Sequence, residues 1–324
     1  MNPQVWKEIN EITDRYFTEP DLNGLLKKSI ADKAEETSIW SEMTLYIHRM
    51  FGGNNPCLYR LGALTELLIL GLDIMDDLQD KDNTGKVWMA MPEAAAMNVM
   101  NGMLMAALAE LGEMKKEYAG QPFPCASEVS RMITTAINGQ HIDIMGKVQT
   151  EEEYVAMVQQ KSCTLFRLSF YLGYSSAGPN LVSDLEAEQL QQFAVYAGML
   201  GQLQNDIQDL TRYDIKNDLL YKKRTLPILY LLAEDESDFP PIHQFYRSEI
   251  TWEEFLTYKL ECLEYIDECG CVEYVSAIRH LYATHANQLL DEIRVRNEWK
   301  ERLRDVLLGA YNNEVMEEAE IKEG

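Results

Sequence analysis

"LGALTELLILGLDIMDDLQDKDN", residues 61–83, decides how this chain is read. Leu61, Leu64, Leu68 and Leu72 recur every three or four residues, the period of one helix face. The apolar run then walks into Asp73, Asp76, Asp77, Asp80 and Asp82. Like charges at helical spacing repel by ~0.2–0.5 kcal/mol per exposed pair, and by more when buried. A core-type helix carrying them implies a compensating positive charge. Asp76 and Asp80 are four residues apart, about 40° around the helix, so their carboxylates share a face, with Asp77 at its edge. Oxygen donors so placed suit Mg²⁺, which is commonly held by one or two carboxylates plus substrate phosphates. Asp73 and Asp82 take no part in this reading and are expected in solvent.

The stretch QLQNDIQDL, residues 202–210, follows an equally apolar segment, FAVYAGMLG. Asn205, Asp206 and Asp209 repeat the i, i+1, i+4 spacing of Asp76, Asp77 and Asp80. Two such faces opposed in a helical bundle would line a metal-binding cavity. Asn205 offers a neutral carbonyl where the first face has a carboxylate.

Composition sets the frame around these two segments. The chain has 324 residues, 46% of them hydrophobic, enough for a sizeable core. A net charge of −24 excludes nucleic acid and anionic membrane surfaces as natural partners, and makes metal ions necessary if an anionic substrate is to bind. No apolar run reaches the ~18 residues of a membrane span, and the N-terminus does not read as a signal peptide. Six scattered cysteines without zinc spacing read as reduced thiols, which together with the rest predicts a cytoplasmic protein.

Helical periodicity runs over roughly 90–117, 126–147, 151–176, 184–212, 252–269 and 273–311. Breakers separate these segments, as in GGNNP at 52–56, GQPFP at 120–124, SSAGPN at 175–180 and DESDFPP at 235–241. None of them looks like an interdomain linker. The expectation is one all-α domain over residues 1–324, a bundle of ten or more helices with a frayed acidic tail at 312–324.

The paired segments DDLQD (76–80) and NDIQD (205–209) resemble the two aspartate-rich motifs of the polyprenyl synthetase family. Three further landmarks between about 45 and 230 are similar to that family in order and kind. They are Gly139-Gln140-His141-Ile142-Asp143, then Tyr154 with Lys161-Ser162 and Leu165-Phe166, and last Asn217-Asp218-Leu219 with Lys223-Arg224-Thr225-Leu226-Pro227, where Lys222 replaces a glycine. The resemblance implies an isoprenoid-synthase bundle around a deep central cavity. It further implies that Asp76, Asp77 and Asp80 hold Mg²⁺ bridging an allylic prenyl diphosphate, and that Asn205, Asp206 and Asp209 serve another ion, two or three in all. Lys161 and Lys223 would hold diphosphate oxygens, with Gln140 near the reacting carbons and Asp143 as a carboxylate beside them. A homodimer is also implied.

The departures narrow the function. Chain-elongating members carry a basic loop before the first motif and an arginine pair after it, for a second diphosphate. Here the loop reads Gly52-Gly53-Asn54-Asn55-Pro56-Cys57, with Arg60 as the nearest cation, and Asn83-Thr84-Gly85-Lys86 follows the motif. Losing roughly four or five charge-assisted contacts, each worth ~1.5–3 kcal/mol, removes useful affinity for a second diphosphate. FGG (51–53), RLGA (60–63), DIMDDLQDKDN (73–83), Trp88-Met89 and GQHIDI (139–144) resemble one branch of the family, the ComQ-type competence-pheromone isoprenyltransferases. That resemblance implies transfer of a geranyl or farnesyl group to a tryptophan of a short precursor peptide, a quorum-sensing modification. The loop at 52–56 and the residues after Asp82 would accept the peptide. His141 is expected to be structural.

Three other readings stand beside this one. A prenyl diphosphate synthase would need unusual contacts to isopentenyl diphosphate. A terpene cyclase is partly mimicked by Asn205 and Asp209, but Tyr213 stands where that class needs a glutamate. A non-catalytic synthase subunit sits poorly with an intact Asp76, Asp80 and Lys161.

Overall fold

A computed structural model describes the backbone of residues 1–36, 38–178, 180–210, 217–219 and 221–323, with side chains through residue 309 and at 311. Tyr213 and the side chains of the acidic tail lie outside the described residues. Among those described there are fifteen helices and no strand. In order they are α1 (Pro3–Tyr16), α2 (Pro20–Glu35), α3 (Trp40–Met50), α4 (Leu58–Asp80), α5 (Glu93–Glu117), α6 (Ala126–Ile144), α7 (Glu151–Gln160), α8 (Ser162–Ala177), α9 (Asp184–Leu210), α10 (Leu226–Ala233), α11 (Pro240–Tyr246), α12 (Trp252–Leu256), α13 (Lys259–Glu268), α14 (Cys271–Glu292) and α15 (Glu298–Glu323).

The opening stretch is α4, buried on nearly every side from Leu58 to Leu72. A helix that is apolar all round must be surrounded, and α4 packs against α1, α3, α5 and α8. The second acidic stretch ends α9, which packs against α8 and α14. Two close crossings bring these helices together. A Cβ on Gly198 of α9 would meet Cys163 Cα of α8 at 2.6 Å, and a Cβ on Gly139 of α6 would meet Gln160 C at 2.8 Å. Only a missing side chain allows such approach.

Three expected helices are broken. The segment 151–176 divides at Lys161, whose backbone (φ −74°, ψ −81°) leaves the helical path where Gly139 presses on it. In the next, 252–269, the break falls after α12, where the Thr257 hydroxyl donates to the Glu254 carbonyl at 2.7 Å. Such local side-chain bonds compete with helix continuation. Asn297 restarts α15 by accepting from the Trp299 amide at 3.1 Å, which ends the expected run 273–311.

One helix departs from the membrane expectation. By length and composition α5 could cross a bilayer, because Ala, Met, Leu and Val raise its mean hydropathy although its unbroken apolar runs are short. It instead packs one face on α4 through Val99, Met103, Ala107 and Leu111, as a core helix does.

Candidate active site

A cavity of about 340 Å³ opens between α4, α6, the α7–α8 break and α9. Its lining includes Asp76, Gln140, Asp143 and Lys161 from the first motifs, and Asn205, Asp206, Asp209, Asp218 and Lys223 from the later ones. Leu72, Met75, Leu165 and the edge-to-face pair Trp40–Phe166, with ring centroids 4.8 Å apart, supply its apolar surface. The two acidic stretches, 129 positions apart, therefore face one space.

Lysines bridge the carboxylates. Lys161, aimed by the break in which it sits, lies 2.7 Å from Asp143 and 3.0 Å from Asp76. Lys223 lies 2.6 Å from Asp80, and Gln140 Nε2 donates to the other Asp80 oxygen at 3.2 Å. Burial opposes the charge on Lys161, but Asp76, Asp143 and Asp80 outweigh it and hold its ammonium well above the usual range. For Lys223, burial and the Lys161 charge are outweighed in the same way by Asp143 and Asp80. Asp143 is half-buried, yet the two lysines keep its carboxyl below the ordinary value, so it stays ionised.

On the opposite wall Asp206 accepts from Tyr154 Oη and from Gln202 Nε2, the latter at 2.7 Å. Burial lifts Asp206 to about 6 and, reinforced by the Asp206 charge, lifts Asp218 to about 8. Burial likewise raises Asp76, which Lys161 only partly answers. These carboxylates, on both sides of the cavity, have too little positive charge around them.

Divalent metal fits that deficit. The donors are hard oxygens, the class that Mg²⁺ and Ca²⁺ take. Gln140 Oε1 and Asp82 Oδ1 are buried without a hydrogen-bond partner. Among the described residues no three His, Cys, Asp or Glu side chains are already gathered to hold an ion. On the α4 side the carboxylates are instead parted by lysines.

Several sequence expectations need correction. Asp77 does not line the cavity; its two oxygens accept from Asn83 Nδ2 at 2.6 Å and Trp88 Nε1 at 2.7 Å, and burial lifts it to about 7. One helical step from Asp76 is enough to turn it toward the following loop. Asp73 is not simply solvated: it pairs with Lys33 at 3.0 Å and reaches the cavity wall. Asp82 is only 4% exposed and faces the cavity, because Lys81 ends α4 in a left-handed turn (φ 57°) that folds the chain back. Its place beyond the helix made its direction unreadable from spacing. Asp218, inside a quoted motif but given no role, is another cavity residue. His141 is exposed and outside the lining.

The two remaining cations near the lost basic loops are spent elsewhere. Arg60 is buried against Glu110 and pairs with Glu117 at 2.8 Å. Lys86 pairs with Asp32 at 3.1 Å and with Glu36. The 52–57 loop is pinned by Asn55, whose side chain donates to the Pro122 carbonyl at 2.8 Å and whose amide donates to His48 Nε2 at 3.3 Å. Neither this loop nor residues 83–91 reach the cavity.

Comparison with known proteins agrees with this geometry. The polyprenyl synthetase family model matches residues 39–261. The tryptophan prenyltransferase ComQ of Bacillus subtilis (strain 168) is 28% identical over 308 residues, covering 93% of this chain and 96% of that protein. A geranylgeranyl diphosphate synthase of Methanosarcina mazei is 25% identical over 68% of each chain. In fold, the polyprenyl synthase of Caulobacter crescentus CB15, solved with calcium and isoprenyl diphosphate, superposes with a TM-score of 0.74 at 23% identity, covering 94% of this chain and 93% of that one. A decaprenyl diphosphate synthase from Rhodobacter capsulatus gives 0.77 at 15% identity over 94% of each. This chain belongs to the polyprenyl synthetase family, as a prenyl-transferring enzyme.

Proposed function

We propose that the protein transfers a geranyl or farnesyl group from an allylic diphosphate to a tryptophan of a short peptide. The observation that carries this reading is the asymmetry of the cations. Lys161 and Lys223 stand in the cavity, whereas Arg60 and Lys86 are consumed by Glu110, Glu117, Asp32 and Glu36. The two cavity lysines suit one diphosphate, and the cations nearest the family's second-diphosphate positions are paired elsewhere. A neutral, electron-rich indole needs no cationic loop, and the likeness to tryptophan prenyltransferases supports that acceptor.

Asp76, Asp80, Asn205, Asp206 and Asp209 would hold Mg²⁺, two or three ions, which neutralise diphosphate charge. Lys161 and Lys223 would bind diphosphate oxygens and stabilise the charge that develops as the C1–O bond breaks. Leu72, Met75, Trp40 and Phe166 keep water from the allylic cation. Indole C3 attacks C1 as the diphosphate leaves, and the tryptophan's own backbone nitrogen then closes on C2 and gives up its proton to the released diphosphate. Asp143, held ionised by Lys161, acts here by positioning that lysine.

The same reading takes residues 1–324 as one domain, in which α1, α4, α5 and α8 share a core. It also takes the protein as a cytoplasmic homodimer. All six cysteines are thiols, and Met97 and Met105 expose an apolar face of α5 for a second copy. Light scattering reads that state.

The test is incubation with Mg²⁺, tryptophan-containing peptides and geranyl, farnesyl or geranylgeranyl diphosphate, read by mass spectrometry. A prenyl mass on tryptophan is expected, and chelation with EDTA removes it. Elongation of the donor by isopentenyl diphosphate, with peptides untouched, overturns the reading in favour of a prenyl diphosphate synthase.

A further inference from the structure

A second cleft, about 200 Å³, lies just outside the cavity wall. The two spaces share Asp143 and Lys223, and the Lys223–Asp80 ion pair forms part of the partition. On the outer side are Ile144, Val148, Tyr221, Lys222 and Arg224.

Its cations stand in an otherwise acidic chain. The chain carries −24 overall, and Lys33, Arg60, Lys86, Arg247 and Arg304 are all tied to carboxylates. Lys222 and Arg224 have no carboxylate partner among the described residues. Lys222 Nζ donates to the neutral Ser248 hydroxyl at 2.8 Å and stands 4.5 Å over the Phe245 ring. Arg224 stands 6.0 Å over Tyr246. Lys222 also holds a left-handed backbone (φ 51°), a conformation unfavourable for a side-chain-bearing residue. Beside these cations Ile144 and Tyr221 are 43% and 42% exposed, an apolar surface that a bare inorganic anion would not use.

We propose that this cleft docks the acceptor and selects a peptide whose tryptophan is flanked by carboxylates. An apolar residue beside the tryptophan packs on Ile144 and Tyr221 at the lip, and flanking Asp or Glu residues pair with Lys222 and Arg224. The acceptor thereby reaches the Lys223–Asp80 partition from outside the cavity. Charge complementarity favours this occupant, because these cations meet no carboxylate among the described residues. The inference rests on the tryptophan-acceptor reading above. It also moves peptide entry away from the 52–56 loop and the residues after Asp82.

The test compares two synthetic peptides, one with a single tryptophan flanked by aspartates and one with asparagines in their place. The wild-type enzyme prenylates the first with a KM about tenfold lower, the size of one or two exposed charge contacts. Lys222→Glu with Arg224→Glu raises the KM of the aspartate peptide at least tenfold and leaves the asparagine peptide within about threefold. Raising the salt concentration narrows the gap between the peptides. Lys222→Ala gives a smaller loss in the same direction and covers a charge-reversed variant that fails to fold. Equal KM for both peptides, or equal effects of the substitutions on both, overturns the docking site while prenylation itself stands. If the wild type prenylates no tryptophan peptide at all, the acceptor reading fails and the docking site with it.

Discussion

Lys223 Nζ lies 2.6 Å from Asp80 Oδ2, although the two residues are 143 positions apart. In the proposed reaction each has a different duty, the lysine to the diphosphate and the carboxylate to the metal. Paired with each other, they keep a buried charge of either sign from standing alone. Substituting Lys223→Ala removes a donor that strengthens as charge develops, so kcat/KM for the prenyl diphosphate falls by about 10²-fold. Steady-state kinetics with the donor varied checks this. A change below about threefold would place the diphosphate elsewhere.

Asp76 and Asp77 are adjacent, and their substitution separates binding from folding. Asp76 lines the cavity, so Asp76→Ala abolishes metal-dependent turnover with little change in stability. Asp77 anchors the loop after α4 through Asn83 and the Trp88 indole. Asp77→Ala leaves both donors unpaired and lowers stability by ~1–3 kcal/mol in urea unfolding. Trp88→Phe shares that loss without touching the cavity.

Gly139 sets the distance between α6 and the α7–α8 break. A Cβ there would stand 2.8 Å from Lys161 Cα, and a backbone neighbour cannot swing away. Gly139→Ala shifts both Gln140 and Lys161. Overpacking costs ~1–3 kcal/mol in stability, and misplacing these groups lowers kcat by about tenfold or more. Calorimetry and kinetics on the same variant measure the two effects.

Stability responds to pH through His48, which is fully buried between the Ser176 hydroxyl and the Asn55 amide. Burial pushes its imidazole from 6.5 to about 4. The unfolded chain therefore binds a proton that the folded chain refuses between those values. The contribution is complete above pH 6.5 and is lost as pH falls toward 4, by about 3 kcal/mol at full extent. The difference in unfolding free energy between wild type and His48→Gln should shrink over that interval. A difference independent of pH would show that His48 takes up its proton alike in the folded and unfolded chain.

The local spacing of residues 61–83 was enough to read α4 and one acidic face, because helical period and charge sit within two turns of each other. The same holds for Asn205, Asp206 and Asp209 on α9. The missing cations at 52–57 were legible for a simpler reason: composition is visible without folding. The destination of Asp77 was not, since it depends on Trp88 reaching back across a turn. Nor was that of Asp82, which depends on the left-handed Lys81.

Sequence by itself determined that this is a helical protein with two acidic helix faces and with one basic loop absent. Tertiary structure alone decided which charges are available. Arg60 meets Glu110 across fifty positions, and Lys161 meets Asp76 and Asp143 from a break packed against a glycine on another helix. The physical reason is that helix period is a local property of the backbone. The partner of a charge is set by whichever distant side chain the packing brings within a few ångströms, where the Coulomb energy is large enough to choose it.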